Sequence, residues 1–249
     1  MIRNSFIFLD KIGKTTEDNM RESGIKTWDD FLSAKNVKGV SPHRKAYYNR
    51  MIDKAKKNLY GLNSSYFDEI IPKTEHWRLY DFFKDDVVFL DIETTGLSDY
   101  NYITMVGLYD GIDTKIMIKD INLDWDHLKE ELKKYKMMVT FNGTVFDAPF
   151  IEKRHPGVLP NIPHFDLRFA CNKLGIKGGL KDIEKLFGIQ RRELVGDLTG
   201  GDALRLWKMY KNSGDDHYLN LLVEYNEEDI INLKKIADDV YQQLKTKLL

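Results

Sequence analysis

The chain has 249 residues, of which 42% are hydrophobic and 31% are charged. These proportions are those of a globular protein and exclude a disordered or fibrous chain. The length allows one substantial core and a small additional module. No uninterrupted apolar segment reaches the length of a membrane span, and the N-terminal apolar run is too short for a secretory signal, so we expect a cytoplasmic protein without a membrane partner. Cys171 is the only cysteine, so any metal must be held by oxygen or histidine.

The net charge of −1 hides an uneven distribution along the chain. Residues 1–60 contain 13 Lys and Arg against 7 Asp and Glu, whereas the remaining residues contain 25 against 32. A basic segment before an acidic body suits a nucleic-acid-binding region, but a solvated helical surface explains the imbalance equally well.

The basic segment is predicted to be helical. Residues 6–34 suggest two short helices around a turn at Ser23 and Gly24, with Thr27 capping the second helix. The segment resembles a helix-hairpin-helix unit, in which the backbone N–H groups at the start of a helix hold a phosphate. Residues 35–57 then carry eight Lys and Arg, and we expect them to contact a nucleic-acid backbone. The candidate nucleic-acid-binding residues of this module are Ile12, Gly13, Lys14, Arg44 and Lys45.

A linker is expected at residues 61–75, where turn-forming residues interrupt the helical periodicity. The predicted domains are therefore a helical module, residues 1–75, and a second domain, residues 76–249. In the second domain the pattern becomes strand, strand, strand, helix, strand, helix, and the turns between the first three strands suit antiparallel hairpins. The predicted strands are residues 87–93, 102–110, 114–120 and 137–142.

The first predicted strand carries two acids, Asp91 and Glu93. They project from the same face because strand side chains alternate. Burying two like charges together is unfavourable unless cations or protons neutralise them. Asp147 follows a later strand, and Tyr225 and Asp229 lie one helical turn apart. Taken singly, each of these later residues also suits an ordinary helix start or polar helix face.

Together, the stretches FLDIETTGL, FNGTVFD and YNEED resemble the three motifs of proofreading-type exonucleases in the ribonuclease-H-like superfamily. These enzymes are called DEDD after their four acids, and the Y-x-x-x-D spacing is that of their tyrosine subgroup. The resemblance covers about residues 85–240, and the motifs occur in the right order. The stretches KLGIKGGLKDIEKLFGIQR and GGDALRLWKMY are similar to stand-alone predicted exonucleases that are often joined to helix-hairpin-helix modules.

The resemblance implies an α/β fold, with a five-stranded mixed sheet flanked by helices and a small all-α module before it. It also implies two divalent cations, Mg²⁺ or Mn²⁺, because a hard cation takes oxygen ligands and two such ions stabilise the attacking and leaving oxygens of a phosphodiester. The implied metal ligands are Asp91, Glu93, Asp147 and Asp229. The implied catalytic residues are these four acids and Tyr225, which would orient the attacking water.

Further residues are candidates for binding the substrate. In the family, the turn after the first motif meets the terminal nucleotide, and an apolar side chain wedges against the last base. Leu97 is the wedge candidate, although an ordinary core leucine is an equal alternative. A glycine pair before a helix suits a phosphate cradle, or equally the end of the preceding helix. The candidate substrate-binding residues are Thr94, Thr95, Gly96, Leu97, Asn142, Phe146, Lys177, Gly178 and Gly179.

The resemblance implies a metal-dependent 3'–5' exonuclease that releases nucleoside monophosphates from single-stranded DNA with a free 3' end. No residue identifies a selector for the 2'-hydroxyl group, so an exoribonuclease with the same site is an alternative. A third hypothesis is a non-catalytic nucleic-acid-binding adaptor. The sequence indicates no particular protein partner.

Overall fold

The computed structural model describes residues 1–248. Its strands form one sheet in the order β3-β2-β1-β4-β5. Strands β1, β2 and β3 are antiparallel neighbours, whereas β4 and β5 run parallel to β1. This topology confirms the predicted five-stranded mixed sheet and the two antiparallel hairpins. The strands are β1 Val87–Thr94, β2 Ile103–Tyr109, β3 Thr114–Ile118, β4 Met137–Thr140 and β5 His164–Asp166.

Helices surround the sheet and form the region before it. The α-helices are α1 Lys14–Glu22, α2 Trp28–Ser33, α3 Pro42–Tyr60, α4 Ser64–Ile70, α5 Tyr80–Phe83, α6 Trp125–Leu132, α7 Asp147–Arg154, α8 Leu167–Lys173, α9 Leu180–Leu186, α10 Glu193–Gly196, α11 Gly200–Ser213 and α12 Asp216–Leu248. Short 3-10 helices span Ile2–Asn4, Lys73–Leu79 and Lys84–Asp86. Within residues 1–248, no helix combines the length and apolar character needed to cross a membrane.

The central strand β1 begins with a continuous apolar run because both of its faces are covered. Val87 and Phe89 pack in a cluster with residues of α12, whereas Val88 and Leu90 pack with residues of α6 and α7. The sheet is therefore the middle layer of three, and the acids that follow on β1 lie where this buried run ends.

The N-terminal helices form as the sequence predicts. Helices α1 and α2 flank Gly24, whose φ of +88° suits a residue without a side chain. The Thr27 hydroxyl caps α2 by accepting the N–H of Asp30, and the Asp30 carboxylate in turn accepts the N–H of Thr27.

Residues 61–75, expected as a linker, instead contain helix α4, and its Phe67 is fully buried. One continuous hydrophobic cluster includes Trp28, Phe67, Phe89 and Ile236. The helical region therefore shares a core with the sheet. The domain boundary at residue 75 stays a prediction.

Candidate active site

Three carboxylate groups converge at the end of β1. Asp91 and Glu93 belong to β1, and Asp229 belongs to α12, which packs against β1 and β2. One oxygen atom from each carboxylate lies within 4.8 Å of the others. Oxygen ligands so close together fit a hard divalent cation such as Mg²⁺ or Mn²⁺, which would also relieve the repulsion between them.

Asp147, the fourth predicted acid, lies beside this group but outside it. It is the first residue of α7 and is 3% exposed. Its Oδ1 accepts the backbone N–H of Ile92 at 3.1 Å, between the two acids of β1. The start of α7 is therefore attached to the strand that carries Asp91 and Glu93.

Burial raises the pKa values of all four acids, and repulsion from a neighbouring carboxylate adds to the shift of each. Desolvation is the largest cause for Asp91 and Glu93, and the neighbouring carboxylates add to it. Desolvation also raises the pKa of Asp147 to about 7 and that of Asp229 to about 6, although Arg191 opposes the latter shift. The metal-free site therefore retains protons that a divalent cation would displace.

We expect the site acids to make the metal-free protein progressively less stable as the pH rises from about 4 to about 7. Unfolded Asp has a pKa of roughly 3.9, whereas the folded values are about 7 for Asp147 and about 6 for Asp229. The folded state binds more protons than the unfolded state in this window, so the free energy of unfolding decreases with rising pH. Urea denaturation in EDTA measures the trend, and saturating Mn²⁺ should suppress it. The gain in stability on adding Mn²⁺ isolates the site from carboxylates elsewhere whose pKa is lowered, such as Glu75, and a gain that does not grow over this window would contradict the assignment.

Arg191 supplies a positive charge inside the site. Its guanidinium donates to Asp229 and, at 2.7 Å, to both carboxylate oxygens of Glu184. Its side chain is 5% exposed, so it is not on the surface. Arg192, in contrast, is exposed and pairs with Glu228 at 3.1 Å. The local sequence, two adjacent arginines in a polar stretch, does not indicate that Arg191 is buried and Arg192 is exposed.

Asn226 holds Asp91 from the side of α12. Its Nδ2 donates to Asp91 Oδ2 at 2.9 Å, and its Oδ1 has no hydrogen-bond partner among residues 1–248. Gly107 of β2, paired with Asp91 across the sheet, makes room for it, because a Cβ there would lie 2.0 Å from Asn226 Oδ1. Asn226 was not predicted, although its i, i+3 spacing to Asp229 places both on one helix face.

The carboxylates open into a cleft of about 420 Å³. Leu97 lines the cleft and is 82% exposed, so its alternative interpretation as a core leucine is wrong. Phe146 lines the same cleft. The complete lining consists of Asp91, Ile92, Glu93, Thr94, Gly96, Leu97, Phe146, Gly200, Gly201, Leu204, Tyr225 and Asp229.

The Tyr225 side chain also faces the cleft. The residue is 8% exposed, and its hydroxyl has no hydrogen-bond partner in the described part of the chain. Desolvation, followed by the charges of Asp229, Glu93 and Asp91, raises the pKa of this hydroxyl. The hydroxyl therefore stays protonated at neutral pH and is able to donate a hydrogen bond.

Several predicted substrate-binding residues support the cleft without lining it. The Thr95 hydroxyl accepts the N–H of Tyr102 at 3.0 Å and so closes the loop that carries Gly96 and Leu97. Asn142 has a φ of +66°, and its N–H donates to Asp166 at 2.9 Å. Asp166 at the end of β5 thus organises the turn before Asp147.

The predicted phosphate cradle lies elsewhere. The cleft lining does not include Lys177, Gly178 or Gly179. The N–H of Gly179 donates to the Asp182 carboxylate at 2.9 Å. The glycine pair at the cleft is instead at residues 200 and 201, the start of α11.

The N-terminal candidates differ in exposure. Gly13 caps α1, as the hairpin resemblance implies, but the Ile12 side chain is buried. Lys14 is exposed and pairs with Asp18. Arg44 is exposed. The expectation that Lys45 contributes to the free basic surface is wrong, because it is 8% exposed and its Nζ lies 5.1 Å from the centre of the Phe31 ring.

A mixed five-stranded sheet, with acids on its central strand and on the helix that crosses it, defines the class of ribonuclease-H-like folds. The chain belongs to the RNase H superfamily, since the family model RNase_H_2 matches residues 88–241. This range includes all five predicted catalytic residues: Asp91, Glu93, Asp147, Tyr225 and Asp229.

Individual proteins resemble parts of the chain. The uncharacterized protein YprB of Bacillus subtilis (strain 168) is 28% identical over 173 residues, which are 60% of this chain and 40% of YprB. The chain thus spans about 40% of the length of that relative. The Nibbler EXO domain of Aedes aegypti matches 70% of this chain and 86% of its own, with a TM-score of 0.40 and 15% identity. The family B DNA polymerase of the archaeon Pyrobaculum calidifontis matches 62% of this chain and 24% of its own, with a TM-score of 0.50 and 16% identity. At that identity, the likeness to the polymerase concerns the fold alone.

Proposed function

We propose that the protein is a nuclease, and specifically a metal-dependent 3'–5' exonuclease that releases nucleoside monophosphates from single-stranded DNA. The observation that carries this proposal is the convergence of Asp91, Glu93 and Asp229 within 4.8 Å in an open cleft. Membership of the RNase H superfamily supports hydrolysis of a nucleic acid. The direction of cleavage comes from the resemblance to the tyrosine subgroup of DEDD exonucleases.

Two divalent cations, Mg²⁺ or Mn²⁺, are the proposed cofactors. Asp91, Glu93 and Asp229 would hold them, and Asp147 would assist from beside the strand. When bound, such ions supply an activated water and stabilise negative charge on the attacking and leaving oxygens. The raised pKa values of the acids support this assignment, because a cation relieves the same repulsion that otherwise retains protons.

The side chains of the cleft would position the end of the strand. The protonated Tyr225 hydroxyl is free to hydrogen-bond to the attacking water. The exposed Leu97 would pack against the terminal base, and Phe146 offers a second apolar surface in the same cleft. A base in contact with such side chains must leave its partner strand, which favours a single-stranded end.

A cleavage assay tests this function. The purified protein would be incubated with Mn²⁺ and a 5'-labelled oligonucleotide, supplied as DNA, as RNA of the same sequence, and as DNA with a blocked 3' end. We expect stepwise shortening of the unblocked DNA and release of mononucleotides. Faster shortening of the RNA would indicate an exoribonuclease. Binding without hydrolysis of either strand would contradict an enzyme and indicate an adaptor.

Tyr225→Phe should lower the turnover rate by roughly 10- to 1000-fold, because it removes a hydrogen bond that orients the water and not a metal ligand. Affinity for Mn²⁺, measured by calorimetry, should change little. Tyr218→Phe, on the same helix but outside the cleft lining, is the matched control. Loss of Mn²⁺ binding in Tyr225→Phe would show that its role is misassigned.

We also propose that the exposed cations of α3 bind backbone phosphates. The four cations are exposed and form no ion pair within residues 1–248: Arg44, Arg50, Lys54 and Lys57. Replacing all four by Gln should reduce the salt slope of log K by about 0.7 for each phosphate of a single strand that is no longer neutralised. The matched control removes the same charge from four exposed lysines of the acidic body that likewise form no ion pair within residues 1–248: Lys84, Lys185, Lys208 and Lys235. Fluorescence-anisotropy titrations at several salt concentrations measure the slopes. A slope for the α3 variant equal to that of the wild-type protein would indicate that the α3 charges are only solvated.

A further inference from the structure

The start of α11 forms one wall of the catalytic cleft. This helix has 14 residues, and its first two, Gly200 and Gly201, both line the cleft. The N–H and hydroxyl of Thr199 donate to Asp202 at 3.0 and 2.7 Å. The N–H groups of Gly200 and Gly201 have no acceptor in the described chain. Two backbone donors at the positive end of a helix dipole therefore remain free.

A second element presents another free donor to the same cleft. The Tyr225 side chain is more than nine-tenths buried, yet its hydroxyl is without a partner among residues 1–248. It comes from α12 and is independent of the geometry of α11. Donors from two helices thus face one accessible space without a protein partner, which suits a ligand rich in hydrogen-bond acceptors.

The proposed substrate of the cleft is an anion that needs hydrogen-bond donors away from the three carboxylates. No lysine or arginine side chain lines the cleft in the described chain, although the proposed substrate is a polyanion. Arg191 lies behind the lining and is paired with Asp229 and Glu184, so the helix start offers the positively polarised groups on the cleft surface itself. A Cβ at Gly200 would meet no atom within 4 Å, so a ligand has room to approach the backbone. Lys181 steadies the preceding segment by donating to the carbonyl groups of Gly196 and Leu198.

We propose that the N–H groups of Gly200 and Gly201 bind a non-bridging oxygen of a backbone phosphate on the strand in the cleft. This inference rests on the proposed nuclease function, because it takes the phosphodiester strand as the ligand. It assigns phosphate recognition to α11 and leaves the carboxylates to the cations.

The decisive comparison is Gly200→Pro against Gly200→Ala. Proline lacks an N–H but is tolerated at the first position of a helix. Thr199, with φ −113° and ψ 168°, already has the extended backbone required of the residue before a proline. Alanine retains the N–H and is the matched control. We expect kcat/KM on a single-stranded DNA oligonucleotide to be about tenfold lower for Gly200→Pro, the effect of losing one charge-assisted hydrogen bond.

Binding separates this inference from the proposed function. Anisotropy titrations of the same oligonucleotide in Ca²⁺ should give a Kd about tenfold weaker for Gly200→Pro than for Gly200→Ala, whether or not the strand is cleaved. Equal affinities and equal kcat/KM would overturn the phosphate subsite and leave an active exonuclease intact. Absence of hydrolysis by the wild-type protein, with the tenfold difference in Kd retained, would overturn the function and support the subsite.

If circular dichroism shows that Gly200→Pro does not fold, a second pair of variants tests the proposal. Gly200→Asp is expected to fold, because an acid in the first turn of a helix is stabilising. Its charge should nevertheless weaken oligonucleotide binding about tenfold relative to the neutral Gly200→Asn. Equal binding by these two variants would overturn the proposal.

Discussion

Asp91→Asn is expected to reduce hydrolysis of single-stranded DNA by at least about a thousandfold, since losing several kcal/mol of cation-dependent stabilisation corresponds to that factor. Asp91 shares the cleft with Glu93 and Asp229 and is held by Asn226. Asparagine preserves the shape of the side chain but lacks the negative charge that holds a divalent cation. Initial rates at saturating Mn²⁺ measure the effect.

The same substitution should stabilise the metal-free protein. Desolvation and the neighbouring carboxylates raise the pKa of Asp91, so its ionised form opposes folding at neutral pH. We expect the melting temperature in EDTA to rise by a few degrees, and the additional stabilisation by Mn²⁺ to shrink. Asp85→Asn, at an exposed acid just before β1, should change neither quantity. Turnover near the wild-type level by purified Asp91→Asn would refute the site.

Short-range patterns were sufficient to predict strands β1 to β4 and the three segments that carry the acids, whereas the five-stranded mixed sheet was implied by the family resemblance. Strand alternation places Asp91 and Glu93 on one face, and helical spacing does the same for Tyr225 and Asp229. Strands β1 to β3 are apolar runs between glycine-containing turns. Strand β5 has only three residues, too few for a periodic signal, so its Asp166 was missed.

The partners of the acids depend on packing between distant segments. Asn226 reaches Asp91 only because α12 crosses β2 at a glycine. Likewise, two glycine pairs stand at helix starts, and nothing local distinguishes the pair at residues 178 and 179 from the pair at residues 200 and 201. The position of α11 beside the catalytic strand makes that distinction.

Helix α3 shows why charge alone misidentified a surface residue. Its buried residues follow helical spacing: Lys45, Tyr48, Ile52, Ala55 and Leu59. Lys45 lies on this apolar face, where its long side chain packs against Phe31 and its amine bonds to Asn49 at 3.1 Å. Combining charge with helical periodicity would have removed it from the predicted basic surface.

A buried ionic network joins the N-terminal region to the segment before the sheet. Arg78 is 2% exposed and Glu17 is fully buried. Arg78 Nη1 donates to both carboxylate oxygens of Glu17 at 2.8 and 2.9 Å, and its Nε donates to Glu75 at 2.7 Å. Glu17 also accepts the N–H of Phe6 at 2.6 Å. Deleting residues 1–75 would remove Glu17 and Glu75 and leave Arg78 without these partners. Charge substitutions in the full-length chain keep this network intact and therefore test the basic surface alone.

Arg78→Met should lower the free energy of unfolding by about 3–5 kcal/mol, because it leaves the Glu17 carboxylate buried without its principal partner. For a chain of this size, the melting temperature should fall by roughly 10 °C. The double variant Glu17→Gln, Arg78→Met should recover part of this loss, since it removes both charges. Thermal unfolding followed by circular dichroism measures all three proteins.

Arg3→Met is the matched control for the loss of Arg78. Arg3 pairs with Asp29 at 2.5 Å, but both side chains are 46% exposed, and exposed pairs contribute only about 0–1 kcal/mol. Because the hydrophobic cluster runs from Trp28 to Ile236, we expect one cooperative transition for the whole chain, shifted strongly by Arg78→Met and little by Arg3→Met. Equal melting temperatures for the two variants would mean that water reaches Glu17. A separate early transition in Arg78→Met would instead mean that the N-terminal helices fold as their own unit, as the predicted boundary at residue 75 requires.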